Sequence, residues 1–138
     1  MKRIHLSLLK IGGWVLALIL VAKCAVFAFS WNHPINQFRR LLSDRHEERS
    51  ASDEFGDYSL CIAGRLPASR FKEAAELLGL SGNLRDDPKQ LEGWQQIVDE
   101  AWWDVPEYFD EQYYKKGEGW SALFGRSGDR VFYQALSW

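Results

Sequence analysis

Cysteine, histidine and proline are all scarce in this chain of 138 residues, which has two, three and four of them respectively. Two cysteines, Cys24 and Cys61, cannot build a disulfide framework, so the fold must depend on packing. The three histidines, His5, His33 and His46, all precede the part of the chain that we expect to fold as a domain. That domain therefore lacks the most common general base and the most common metal ligand in proteins.

Catalytic and cofactor motifs are also missing. No group of carboxylates has the spacing of a calcium loop, and Gly117-Glu118-Gly119 lacks the strand-to-helix setting of a phosphate-binding loop. Cys61 lies in an apolar run with no histidine after His46, so we expect it to be a small buried hydrophobe and not a nucleophile. The sequence therefore predicts no metal and no cofactor, and it favours a protein that is not an enzyme.

Charge is distributed unevenly along the chain. Residues 1–50 contain eight Lys or Arg and three Asp or Glu, a net charge of +5, whereas residues 51–138 contain nine and sixteen, a net charge of −7. A nucleic-acid-binding domain needs a basic surface, so the acidic second half argues against nucleic acid as a partner. The basic first half suits a position close to anionic lipid, and membrane lipid is the partner that we expect for it.

The longest apolar stretch runs from Ile11 to Phe29 and contains one charged residue, Lys23. A helix of this length would reach roughly 28 Å, close to the ~30 Å thickness of a bilayer core. Lys23 lies near the end of the stretch, where its amine can extend along its own stem toward the lipid headgroups. We therefore predict a single transmembrane helix over residues 11–30.

The flank over residues 1–10 is basic, with Lys2, Arg3 and Lys10. Because a basic start followed by an apolar run also describes a secretory signal, a cleaved signal peptide is the alternative interpretation. A retained anchor with a basic N-terminus on the inside predicts a single-pass membrane protein. Its C-terminal domain would then lie on the extracytoplasmic side.

Residues 31–56 read as a juxtamembrane segment followed by a polar linker. Apolar residues fall at helical spacing after Pro34, which predicts a short amphipathic helix; they are Ile35, Phe38, Leu41 and Leu42. This helix would either lie on the lipid surface or continue the anchor helix into water. From Ser43 to Asp57 the chain is polar and charged, with too few apolar residues to pack.

Residues 57–138 are predicted to form the folded domain, which begins with one strand and two helices. Large apolar side chains alternate with small ones over Tyr58–Leu66, which predicts a strand. A helix follows from Pro67, and Gly79 ends it in the left-handed conformation. Asp87-Pro88 is a typical start for a second helix, with an apolar stripe that continues to Trp102.

The end of the chain predicts antiparallel strands. Gln112–Lys116 is a possible edge strand, and residues 120–126 and 130–138 read as a hairpin that turns at Ser127-Gly128. With that turn all the paired residues on one face are apolar; the predicted pairs are Phe124 with Val131, Ala122 with Tyr133, and Trp120 with Ala135. The predicted fold class is therefore α+β: one transmembrane helix, then a small domain with a strand, two helices and a C-terminal antiparallel hairpin or three-stranded sheet.

Two carboxylates are candidates for chemistry. Glu100 and Asp104 are four residues apart, so on a helix they would share a face beside Trp103. A carboxylate next to an aromatic ring can have a raised pKa and act as a general acid. This pair supports the alternative functional hypothesis, a small hydrolase or carbohydrate-binding module. However, six of the thirteen residues in 99–111 are acidic, so such pairs arise by chance.

Aromatic residues are the one clear excess in the domain. Trp and Tyr are favoured at binding surfaces, and the eleven rings that we single out in residues 94–138, Trp120 among them, exceed what one face of a small core needs. Five of them remain as candidate binding residues: Trp103, Tyr108, Tyr113, Phe132 and Trp138. They are candidates for a partly exposed patch beside acidic residues. The other interpretation is that a small domain uses large rings to fill its core and flank its sheet. The leading hypothesis is thus a membrane-anchored, non-enzymatic interaction module that presents an acidic, aromatic-rich α+β domain to a protein partner.

Overall fold

The computed structural model describes residues 13–26, 28, 33–43, 45–52, 56–82 and 99–138. The chain forms two compact units, Met1–Gln37 and Phe38–Trp138. The predicted domain boundaries near positions 10, 30 and 56 stay predictions. The basic flank over 1–10 and most of the predicted second helix, residues 87–98, lie outside the described residues.

In the first unit, helix α1 is described over residues 13–26, which corresponds to about 21 Å at ~1.5 Å per residue. Within the described part of the chain, no helix is both long and apolar enough to cross a membrane. The predicted transmembrane helix over 11–30 is therefore wrong. The predicted single-pass membrane location with an extracytoplasmic domain is wrong for the same reason. The expectation of a lipid partner depended on that helix and is not carried further.

The second unit is built on an antiparallel sheet of five strands in the order β1-β2-β5-β4-β3. The strands are β1 (Glu47–Ser52), β2 (Tyr58–Arg65), β3 (Glu111–Gly117), β4 (Trp120–Ser127) and β5 (Arg130–Ser137). The predicted C-terminal hairpin or three-stranded sheet is thus wrong in extent, because β2 pairs along its whole length with β5 and β1 pairs with β2. The described helices are three short ones, α1, α2 (Pro34–Leu41) and α3 (Phe71–Leu77).

Strand β1 lies where the sequence predicts a polar linker. All six of its residues are exposed, and they include Glu47, Glu48 and Arg49. A strand at the side of a sheet needs no apolar face, and charged side chains there discourage pairing with other molecules. Its backbone hydrogen bonds to β2 therefore hold the strand in place without any contribution from a buried side chain.

The predicted hairpin of β4 and β5 forms, with a different register. Phe124 lies opposite Tyr133 and Ala122 opposite Ala135, so each predicted pair is displaced by two residues. The reason is that the two-residue turn is Gly128-Asp129, with Gly128 at a φ of 62°. Moving a turn by one residue shifts the pairing by two, which keeps every side chain on its predicted face.

One face of the sheet, called here the helix face, packs against α2 and α3. Phe71 stacks on Phe124 with ring centroids 4.5 Å apart, and Phe38 meets the same ring edge to face at 5.4 Å. Leu42, just after α2, lies against Gly64, where an added Cβ would be 3.1 Å from a Leu42 methyl carbon. The predicted amphipathic helix therefore forms, and its buried residue Phe38 packs on the sheet.

Helix α3 ends as the sequence predicts. Gly79 has a φ of 71°, and its N–H donates to Glu76 while the Leu80 N–H donates to Ala75. These two hydrogen bonds form a Schellman motif, which brings the buried Leu80 back onto the last turn of the helix. The end of α3 is thereby fixed next to the sheet.

The opposite face, called here the strap face, is covered by an irregular segment, residues 99–110, which we name the strap. Trp103 and Phe109 from the strap form a buried cluster with Cys61, Ala63 and Phe132 from the sheet. The Phe109 ring lies directly on Gly125, because a Cβ there would be 2.5 Å from the ring. Residues 99–102 are not helical, so the second predicted helix does not reach Trp102.

Candidate functional site

The five predicted binding aromatics occupy different environments. Trp103 and Phe132 pack edge to face in the strap-face core, with ring centroids 5.7 Å apart. Tyr113 is buried on the helix face against Phe71. Tyr108 and Trp138 are 54% and 59% exposed. Of the five residues, the fold therefore brings Trp103 and Phe132 into contact and leaves Tyr108 and Trp138 accessible to a partner.

The two candidate catalytic carboxylates both pair with arginines of the sheet. Glu100 accepts a hydrogen bond from Arg49 of β1 at 2.8 Å and another from the Trp102 indole. Asp104 binds Arg130 of β5 through both carboxylate oxygens. The Arg130 hydrogen bonds hold the pKa of Asp104 below its usual value. A general acid requires the opposite shift, so this geometry favours a structural role for Asp104.

A third arginine fixes the end of the strap. Arg126 of β4 pairs with Asp110 at 3.2 Å and with Glu111 at 3.1 Å. Asp110 also accepts the Gly128 N–H at 2.8 Å, which joins the strap to the turn between β4 and β5. The acidic residues of 99–111 that read as a solvated helix face therefore supply carboxylates that attach the strap to three different strands.

A groove opens on the helix face at the other end of the sheet. Tyr58 of β2, Ser137 of β5 and Trp120 of β4 are directly opposite one another in the strand register. Because the middle residue of this row is small, the two aromatic side chains stand on either side of a gap. Tyr58 is 41% exposed and Trp120 is 38% exposed, although both lie on the same face as the buried Phe124.

The groove encloses a cavity of about 280 Å³. Its floor continues from Ser137 to Ala135 and Ala122, which form the next row of the sheet. Its far side is the end of α3, where Leu78, Gly79 and Leu80 line it. We call this cavity the aromatic groove; its other lining residues are Tyr58, Lys115, Trp120, Ser121, Tyr133 and Leu136.

The position of the Trp120 ring is set by a glycine on the neighbouring strand. A Cβ on Gly117 of β3 would lie 2.0 Å from the indole nitrogen, so the ring rests on the bare backbone at that point. Gly117 pairs with Trp120 across the β3–β4 turn. This contact draws the indole toward β3 and away from Ser137, which keeps the gap between Trp120 and Tyr58 open.

Two lysines flank this end of the sheet. The Lys115 amine lies 5.9 Å from the Trp120 ring centroid and donates to the Gly79 carbonyl at 3.3 Å. The Lys116 amine lies 5.8 Å from the Trp138 ring centroid. Successive residues of a strand point to opposite faces, so each face of the sheet carries one lysine beside one exposed tryptophan.

The titratable side chains among the described lining residues of the groove are Lys115, Tyr58 and Tyr133. Burial, with a smaller contribution from Tyr58, raises the pKa of Tyr133 to about 12, so its phenol stays neutral at physiological pH. The described lining residues include no histidine, cysteine or carboxylate. Cys61 is buried on the other face, and burial raises the pKa of its thiol to about 11. Among the described residues, no group of three or more His, Cys, Asp or Glu could hold a metal ion.

Tyr58 and Trp120 were not among the five candidate binding residues predicted from the sequence, since both belong to the apolar face of a predicted strand. The alternating pattern shows which face a residue occupies, but not where along the strand the covering helices stop. The available signal was the run of small residues opposite them, because Ser137, Ala135 and Ala122 leave space that large rings would fill.

Comparisons with known proteins add no relative: no protein-family model, no curated protein and no solved structure matches this chain.

Proposed function

We propose that this chain is a non-enzymatic protein-interaction module, and that the aromatic groove receives an apolar side chain from a partner protein. The observation that carries this proposal is the row of Tyr58, Ser137 and Trp120, which holds two exposed rings apart over a floor of small side chains. Exposed tryptophan and tyrosine beside a pocket are the residues that most often dominate binding energy at protein interfaces.

The size of the groove favours a side chain as its occupant. Pockets for drug-sized ligands and cofactors measure roughly 300–1,000 Å³, and this cavity of about 280 Å³ lies just below that range. Its walls and floor are largely carbon, with Ala122, Ala135 and Leu78 among them. An apolar side chain that enters the groove leaves water. Each Å² of apolar surface that it buries contributes about 25 cal/mol of favourable binding free energy.

A carbohydrate fits the groove less well than a side chain does. Each sugar hydroxyl that leaves water needs a hydrogen-bond partner. No carboxylate or side-chain amide is found among the described lining residues. The carboxylates of the hydrolase hypothesis, Glu100 and Asp104, belong to the strap and pair with Arg49 and Arg130. These contacts favour a protein partner over the alternative of a hydrolase or carbohydrate-binding module.

The experiment is a selection of peptides from a displayed random library on the full chain, with a glycan panel run in parallel. We expect enriched peptides to share an apolar anchor residue and to lose binding to Trp120→Ala. Tyr108→Ala is the matched control, because Tyr108 is similarly exposed but does not line the groove. Peptides that bind Trp120→Ala as well as the parent, no enrichment at all, or binding of glycans alone would each refute the proposal.

A further inference from the structure

The charge around the aromatic groove differs in sign from that of the domain. Residues 51–138 carry nine basic and sixteen acidic residues, a net charge of −7. The only charged residue among the described lining residues is nevertheless Lys115. The groove is therefore a local basic site on an acidic domain.

In the described part of the chain, Lys115 and Lys116 also differ from six of the arginines in having no acidic partner. Among the described residues, neither lysine has a carboxylate oxygen within 4 Å, whereas six arginines do; they are Arg39, Arg49, Arg65, Arg70, Arg126 and Arg130. The Lys115 amine donates to the Gly79 carbonyl. An ammonium has three donor hydrogens, so two remain for a ligand.

The position of Lys115 defines where a ligand's carboxylate would have to lie. Its amine is held between the Gly79 carbonyl, at the end of α3, and the Trp120 ring, at one wall of the groove. When a side chain of the partner fills the groove, the residues next to it in the partner's sequence would lie at this rim. A carboxylate on one of them would meet an ammonium that is already in place.

From this arrangement we infer that the aromatic groove selects partner segments in which an acidic residue adjoins the apolar anchor. The inference rests on the proposed function and adds the chemistry of the partner. The net negative charge of the domain opposes an acidic ligand, but charges beyond about 8–10 Å are largely screened at physiological ionic strength. Asp57, Glu76 and Glu118 are near the groove in the sequence but do not line it, so Lys115 is the charged side chain that a ligand in the groove would contact.

The test uses nine synthetic peptides, which combine three anchors (Leu, Phe or Trp) with three kinds of flank (Glu, Gln or Lys). Affinities for the full chain are measured by fluorescence polarisation. For at least one anchor we expect the affinity to decrease from the Glu flank to the Gln flank to the Lys flank. Each step should be about two- to fivefold, as for a partly exposed ion pair. Lys115→Gln should abolish the preference and Lys115→Glu should reverse it. Lys72→Gln, an exposed lysine of α3 outside the groove, should change nothing.

The outcomes separate this inference from the proposed function. If peptides with Gln flanks bind as tightly as those with Glu flanks, and bind Trp120→Ala more weakly, the acidic preference is wrong and the groove remains a binding site. If no peptide binds the parent more tightly than it binds Trp120→Ala, both proposals fail. A preference for Glu that Lys115→Gln leaves intact would also overturn the inference, because another group would then be responsible.

Discussion

The two ends of the sheet use their charged residues differently. At one end, Arg65, Arg126 and Arg130 each pair with a carboxylate of the same domain. At the other end, two exposed tryptophans lie beside Lys115 and Lys116, which have no carboxylate within 4 Å in the described part of the chain. We call these the arginine end and the groove end. Both share the same strands and core, so the difference lies in the charged pairs, which attach the strap at the arginine end, and it is the reason why we propose the groove end as the binding site.

The largest effect is expected in the core that both ends share. Phe124 is fully buried between Phe38 and Phe71 on the helix face. Phe124→Ala should reduce the free energy of unfolding by about 3–5 kcal/mol, through lost burial and the cavity left behind. Urea denaturation followed by circular dichroism measures this loss. A reduction below about 1 kcal/mol would show that the helices do not pack on the sheet as described.

A glycine contact at each end allows a matched comparison. Gly125→Ala should destabilise the protein by about 1–3 kcal/mol, because the new methyl overlaps the buried Phe109 ring. Gly117→Ala meets the partly exposed Trp120 ring, which can move, so its stability cost should stay below about 1 kcal/mol. It should nevertheless weaken peptide binding, since the indole would be displaced. Urea denaturation and peptide titration of both variants test this division, and equal stability losses would contradict it.

Removal of one strap carboxylate should have a smaller, pH-dependent effect. Arg130 lowers the pKa of Asp104 in the folded protein. The folded state therefore binds fewer protons than the unfolded state, and the stability from this pair is present above the usual aspartate pKa of ~3.9. It is lost as the pH falls through the lowered pKa.

Asp104→Asn is expected to cost about 0.2–1 kcal/mol at pH 7, because both partners of the pair are substantially exposed to solvent. The parent and the variant should converge in stability as the pH falls through the lowered pKa of Asp104. Urea titrations at several pH values measure both effects. A difference that grows on acidification would mean that Asp104 is not an ionised partner of Arg130.

Much of the domain could be predicted from local pattern. The glycine and leucine after α3 indicated a left-handed end with a hydrophobic contact, and Gly79 and Leu80 form it. The hairpin faces were also correct, although the register was not, because both Ser127-Gly128 and Gly128-Asp129 are plausible two-residue turns. The face that a strand residue occupies depends only on whether its position is odd or even. The register depends on the exact residue at which the chain reverses.

Features that depend on distant partners could not be predicted. β1 has no apolar face and is held by hydrogen bonds to β2, so its sequence resembles that of a linker. The strap acids read as a solvated surface because their arginine partners lie on other strands, as far away in sequence as Arg49 is from Glu100. The apolar stretch at 11–30 predicted a membrane span from composition and length, whereas no helix of the described residues is both long and apolar enough to cross a membrane.

The most direct test of the account is the affinity of one selected peptide for the full chain, for Trp120→Ala and for Tyr108→Ala. If the groove end is the binding site, Trp120→Ala should weaken binding by at least about tenfold, as expected for an interface residue worth more than ~1.4 kcal/mol. Tyr108→Ala should change it by less than about twofold. Equal affinities of the parent and Trp120→Ala, or a larger loss in Tyr108→Ala, would contradict the assignment of binding to the aromatic groove.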